Sequence, residues 1–189
     1  MRSRLLIPLL LGSLGACALS SEQEGPPADP GDFPDPDPDI ETPPLSPAQE
    51  ARALLAEWSG CMSLASFTSA EMASTWSQIV AADGSRCTRC HTEATPSFPV
   101  SSNPEAFFQV ISEHTLPMLL FFTVDLTTRP GKVIMSPSRF EAVGTGTPPN
   151  ALHPRFTVAG APTTALTSFY NATVARKAAN ACDPPRLKD

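Results

Sequence analysis

Two cysteines two residues apart, with a histidine directly after the second, constrain this chain more than any other feature: Cys87-Thr88-Arg89-Cys90-His91. On one helical turn, side chains at i and i+3 lie on the same face. The two thiols then point together, and the next side chain projects beside them. That arrangement suits a flat ring bearing two vinyl groups and an iron: each sulfur adds across one vinyl and the imidazole reaches the metal. The pattern Cys-x-x-Cys-His is the attachment signature of a c-type haem. The rest of the fold has to house that site and cover the other face of the ring.

The chain opens with a secretory signal over residues 1–16. Arg2 and Arg4 form its positive start, Leu5 to Leu11 its apolar centre, and Leu14-Gly15-Ala16 a small-residue cleavage site. Leu14-Gly15-Ala16-Cys17 resembles the lipobox of bacterial lipoproteins, and the resemblance implies that Cys17 is lipidated and becomes the mature N-terminus. It also implies export to the bacterial cell envelope, facing the periplasm or the cell surface. Ala18, in place of aspartate, points to the outer membrane rather than the inner. No second apolar run is long enough to span a bilayer, so lipid is the expected anchor.

Residues 17–46 read as a disordered linker. Nine of the 22 prolines fall between Pro26 and Pro47, and Asp35-Pro36-Asp37-Pro38-Asp39 alternates charge with proline. Prolines favour extended polyproline II and like charges repel, so the reach of this spacer is on the order of 90 Å. Residues 18–50 carry nine acids and no Lys or Arg. With these and Arg2 and Arg4 set aside, the chain's 19 acids and 13 bases leave 10 and 11 for the remainder. The domain is near neutral and has no basic cluster, which argues against a nucleic-acid partner.

The domain proper spans 47–183 and is expected to be mainly α, with residues 184–189 as a tail. Ser46, Pro47 and Gln49 mark a capped helix start, followed by Leu54, Leu55, Trp58 and Met62 on one face. A second start is expected at Thr68 with Glu71 three residues on, leading through Met72, Trp76, Ile79 and Val80 to a stop at Asp83-Gly84 and so into the haem motif. Asn103-Pro104 opens a helix to about Glu113. The apolar run Leu116–Leu126 and Gly131–Ser136 suggest a short hairpin across Arg129-Pro130-Gly131. Ser136-Pro137 starts a short helix ended by Gly144, residues 144–150 read as loop, and Pro162 opens the last helix, with Leu166, Phe169, Tyr170, Thr173 and Val174 at helical spacing.

With the motif, an N-terminal helix before it and an aromatic-bearing last helix, residues 47–183 resemble a single-haem cytochrome c domain. The resemblance implies that the two terminal helices pack across each other near one covalent haem c. It makes Cys87 and Cys90 the thioether residues and His91 the proximal iron ligand. For the far side of the iron, four residues compete. His153 lies in the polar segment Asn150-Ala151-Leu152-His153-Pro154, Met135 follows the motif in a strand-like stretch, His114 closes a helix, and Met118 lies in an apolar run. Arg86, Arg89 and Arg155 are candidate partners of the haem propionates. With Cys17 taking lipid and Cys87 and Cys90 taking haem, Cys61 and Cys182 remain to form a disulfide in an oxidising compartment.

The function these readings imply is transfer of single electrons to and from redox partner proteins by transient contact, rather than catalysis. Three alternatives remain open at this point. An open distal side would make a haem sensor or a peroxidase-like enzyme. Cys87 and Cys90 could instead form a redox-active disulfide, although that chemistry wants a βαβ context. The chain could also be a disulfide-stabilised lipoprotein without haem.

Overall fold

Ser46 starts the first helix of the structure, a computed structural model that describes residues 44–86, 98–143 and 155–189. Its hydroxyl accepts from the Gln49 amide at 3.3 Å, while the Gln49 side chain accepts from the Ser46 amide at 2.9 Å. This capping box, with Pro47 in the first turn, fixes the start of α1 (Pro47–Cys61). Leu55 and Trp58 of its inner face are buried, as is Met62 just beyond its end.

The expected start at Thr68 is displaced. Ser63, whose hydroxyl accepts from the Ser66 amide at 3.1 Å, caps α2 (Leu64–Ser69), and Thr68 lies inside that helix. Glu71 is no capping-box partner: it adopts φ +57° and separates α2 from α3 (Met72–Trp76). Its carbonyl accepts from the Thr75 amide at 3.0 Å and from the Thr75 hydroxyl at 2.5 Å, so the left-handed residue restarts the helix through its backbone. The helix ends at Trp76, short of Ile79 and Val80.

After residue 98, Asn103 caps α4 (Pro104–Glu113), accepting from the Ala106 amide at 3.1 Å. Thr115–Leu119 forms α5, and β1 (Phe122–Asp125) pairs antiparallel with β2 (Lys132–Met135), Phe122 opposite Met135 and Asp125 opposite Lys132. The turn between them contains a cis Arg129-Pro130 bond, and Arg129 pairs with Glu50 of α1. Helices α6 (Ser138–Val143) and α7 (Ala161–Ala178) complete the described elements. The described residues are therefore mainly helical with one short antiparallel hairpin.

The core is aromatic. Phe67 meets Phe107 and Phe169 edge-on at 5.1 and 5.3 Å, Trp76 meets Phe121 and Phe140 at 4.8 and 5.0 Å, and Trp58 meets Phe122 and Tyr170 at 5.5 and 5.2 Å. Such edge-to-face pairs add to the burial of their large rings. Helices α1 and α7 lie against each other, joined by the Cys61–Cys182 disulfide and by a Lys177 to Glu57 ion pair at 2.6 Å. No described helix is long and apolar enough to cross a membrane.

Residues 184–189, expected as a tail, run back over the domain. Ser59, fully buried in α1, accepts from the amides of Arg186 and Leu187 at 2.8 and 3.2 Å, and the Asp183 amide donates to the Gly60 carbonyl at 3.0 Å. Helix α7 already ends at Ala178, and Pro184-Pro185 suits an extended strap. A Cβ on Gly60 would lie 2.2 Å from the Asp183 carbonyl oxygen, a backbone atom. Gly60→Ala is expected to push the strap off α1 and cost about 1 to 3 kcal/mol, as overpacking does. Urea unfolding measures this, and a loss under about 0.5 kcal/mol would contradict it.

Candidate haem site

Cys87, Arg89, Cys90, His91 and His153 lie outside the described residues, as do Cys17, the signal, the linker up to Pro43, and Gly144 with its loop. The described chain on either side of the motif and of His153 defines the site's frame. Between α3 and the motif, a tight turn replaces the expected helix. The Ala81 amide donates to the Ser85 carbonyl at 2.7 Å, Gly84 takes φ +82°, and Val80 bridges Arg86 across the turn. The Asp83 carboxylate accepts from the Ser85 amide and hydroxyl at 2.9 and 2.5 Å, an Asx turn that sets the geometry. This turn hands the chain to Cys87.

The second stem lies beside the first. The Ala82 amide donates to the Arg155 carbonyl at 2.7 Å. Arg155 is two residues after His153, and Arg86 is bonded to Cys87. At 3.8 Å between successive Cα atoms, His153 starts within about 8 Å of Arg155 along the chain. The fold thus brings together the entry to the motif and the exit from the His153 segment, 69 residues apart in sequence from Arg86 to Arg155. Sequence reasoning missed this contact, because neither stem has a periodic pattern; its trace was the Asp83-Gly84 turn signal.

The stems present an apolar wall. Val80, 50% exposed, Ala81, Ala82, Arg155, Phe156 and Thr157 line a shallow concavity of about 230 Å³. That is smaller than the roughly 300–1,000 Å³ of a pocket that encloses a ligand. Behind it, Phe156 packs on Phe140 at 5.4 Å, and Phe140 on Trp76. Arg86 and Arg155 are exposed on the two stems. Arg155 lines the concavity itself and Arg86 lies on the neighbouring stem, so the described residues offer apolar surface and positive charge, the chemistry that a flat apolar ring carrying two carboxylates calls for. Among the described residues no three His, Cys, Asp or Glu gather as they would around a metal ion.

Three of the four candidates for the far side of the iron are described, and each is engaged elsewhere. Met135 is in β2 opposite Phe122 and packs against the core. Met118 is fully buried in α5. His114 ends α4 and faces the strap: its Nδ1 lies 3.2 Å from Asp189 Oδ2. Asp189 also accepts from the Thr115 amide at 2.8 Å, capping α5 from a distant part of the chain, and Lys188 pairs with Glu113 at 2.5 Å.

The carboxyls of Glu113, at the end of α4, and of Asp189, in the strap, are both held below their ordinary values, Glu113 chiefly by its hydrogen bond from Lys188 and Asp189 chiefly by the Thr115 amide. A carboxyl depressed by folding stabilises the folded state above its unfolded value, and that contribution disappears as pH falls through the folded one. The strap is expected to loosen below about pH 4. Hydrogen exchange at the Arg186 and Leu187 amides, corrected for intrinsic rates, should then accelerate while the core amides of α1 stay protected. Unchanged protection of the strap down to about pH 3 would contradict this.

No protein-family model, curated protein or solved structure matches this chain.

Proposed function

We propose that this chain is a lipid-anchored c-type cytochrome that carries single electrons in the bacterial cell envelope, with its domain arranged like a cytochrome c. The observation that carries this reading is the Cys87-x-x-Cys90-His91 motif in a chain whose two other domain cysteines, Cys61 and Cys182, are bonded to each other. That disulfide also favours an oxidising compartment, in keeping with the signal and with lipid on Cys17. The contact of α1 with α7 supports the terminal-helix pairing of the cytochrome family. Cys87 and Cys90 hold the ring by thioethers, and His91 is the proximal iron ligand.

His153 is the proposed distal ligand. Its segment joins the stem anchored on Ala82, while Met135, Met118 and His114 are engaged by the sheet, the core and the strap. The haem supplies a one-electron couple at its iron; the chain's part is to hold and shield the ring and to set its potential. With a haem bound, Val80 and Phe156 would keep water from it and Arg86 and Arg155 would pair with its propionates, while redox partners would dock briefly.

The test is a visible spectrum of the full chain produced with a haem-attachment system. The wild type is expected to be six-coordinate and not to bind carbon monoxide. His153→Ala is expected to become high-spin and bind carbon monoxide, whereas Met135→Ala keeps the wild-type spectrum. Carbon monoxide binding by the wild type would favour a sensor or peroxidase-like enzyme.

A further inference from the structure

We propose that Cys61–Cys182 is a disulfide shielded from the thiol-reducing step that must keep Cys87 and Cys90 free for haem attachment, so that reductive maturation discriminates between the chain's two cysteine pairs; this rests on the haem reading above. The need for discrimination is chemical. Thioether formation consumes two free thiols, yet the compartment that leaves Cys61–Cys182 oxidised also favours oxidation of two thiols three positions apart. A dithiol must then reduce one pair without reducing the other.

Reduction begins when a thiolate attacks one sulfur and the other leaves as a thiolate. The reductant's second thiol then displaces the first, so two electrons and two protons pass to the protein pair and the reductant ends as its own disulfide. Cys61 is fully buried, which closes it to attack. The strap reinforces the cover, because the Asp183 amide is hydrogen-bonded to the Gly60 carbonyl at 3.0 Å and the Asp183 carbonyl leaves no room for a Cβ on Gly60.

Cys182 is partly exposed, so attack there is the remaining route, and it would expel Cys61 as a thiolate. That is a poor leaving group for two reasons. It would leave a charge in the buried interior, and it ends α1, a 15-residue helix whose C-terminal dipole opposes negative charge. Reactive cysteines are commonly found at helix N-termini, and Cys61 occupies the opposite end. Arg176 also ties down both neighbours of Cys182, donating to the Ala181 backbone carbonyl at 2.6 Å and to the Asp183 side-chain carboxylate at 3.2 Å.

The experiment uses the full haem-free chain, oxidised beforehand, exposed without denaturant to a graded series of dithiothreitol, then alkylated and read peptide by peptide by mass spectrometry. Cys87 and Cys90 are expected to be alkylated at roughly tenfold or lower reductant than Cys61 and Cys182. Ser59→Ala with Leu187→Ala, which weakens the strap, should narrow that gap. Alkylation of Cys61 and Cys182 at equal or lower reductant in the wild type would overturn the proposal. The readout is independent of haem: selectivity in a chain that never acquires haem would count against the cytochrome reading alone.

Discussion

Cys61→Ala with Cys182→Ala is expected to lower the unfolding free energy by about 4 to 5 kcal/mol. The bond closes a loop of 121 residues, and in the chain-entropy model a loop of that size restricts the unfolded chain by about this amount. The double replacement leaves neither partner of the bond as a free thiol, so the effect belongs to the cross-link and to the lost packing of its side chains. The loss should appear as a midpoint on the order of 10 to 20 °C lower in thermal unfolding, for a domain of this size. Reduction of the wild type under denaturing conditions should reproduce it. A loss below about 1 kcal/mol would mean that native-state strain offsets the entropy. It would also mean that α1 and α7 are held chiefly by side-chain packing.

The second large effect is expected at Trp76. Its ring is fully buried between Phe121 and Phe140, and its indole N–H donates to the Pro162 carbonyl at 3.1 Å, joining the end of α3 to the start of α7. Trp76→Ala is expected to cost about 3 to 5 kcal/mol, by loss of transferred surface and by the cavity left behind. Trp76→Phe keeps an aromatic ring but strands the carbonyl, and is expected to cost about 1 to 3 kcal/mol. Trp76 also backs the wall formed by Phe140 and Phe156, so the alanine variant should loosen the stem at Val80–Arg86. In the haem-loaded chain, that would appear as easier displacement of the distal ligand by carbon monoxide. A Trp76→Ala variant as stable as the wild type in urea would contradict the packing argument.

The parts of the fold that were legible in the sequence were those carried by local chemistry. Ser46, Pro47 and Gln49 specify a helix start whatever surrounds them, and so do Asn103-Pro104 and the apolar spacing of Leu166 and Phe169. The hairpin was legible from its turn at Arg129-Pro130-Gly131, although the first part of the apolar run Leu116–Leu126 is helix α5 and the strand begins only at Phe122. What local pattern could not supply was the choice between competing starts: Ser63 and Thr68 are both good caps, and packing of Phe67 against Phe107 and Phe169 selects the earlier one. Glu71 then carries a positive φ that no residue preference would assign to it.

The strap and the stem contact were illegible for another reason. The Arg186 amide donates to the Ser59 hydroxyl and the Ala82 amide to the Arg155 carbonyl, long-range hydrogen bonds that each use backbone groups, and backbone groups have no sequence signature. The disulfide was inferable only because every other cysteine had a separate assignment, and the structure pairs the two that remained. The Cys-x-x-Cys-His motif is legible as a pattern of residue types, and what the fold added is the described chain next to it: a tight turn in place of a helix, hydrogen-bonded to the segment that starts at Arg155.

The most direct test of the central claim is the intact mass of the full chain, produced in the envelope of a bacterium with a haem-attachment system and measured after acid-acetone extraction. The account predicts one haem retained per chain through Cys87 and Cys90, lost in the Cys87→Ala, Cys90→Ala double variant while Cys61–Cys182 stays bonded. A chain of unmodified mass at those cysteines, folded and with Cys61–Cys182 intact, would contradict it.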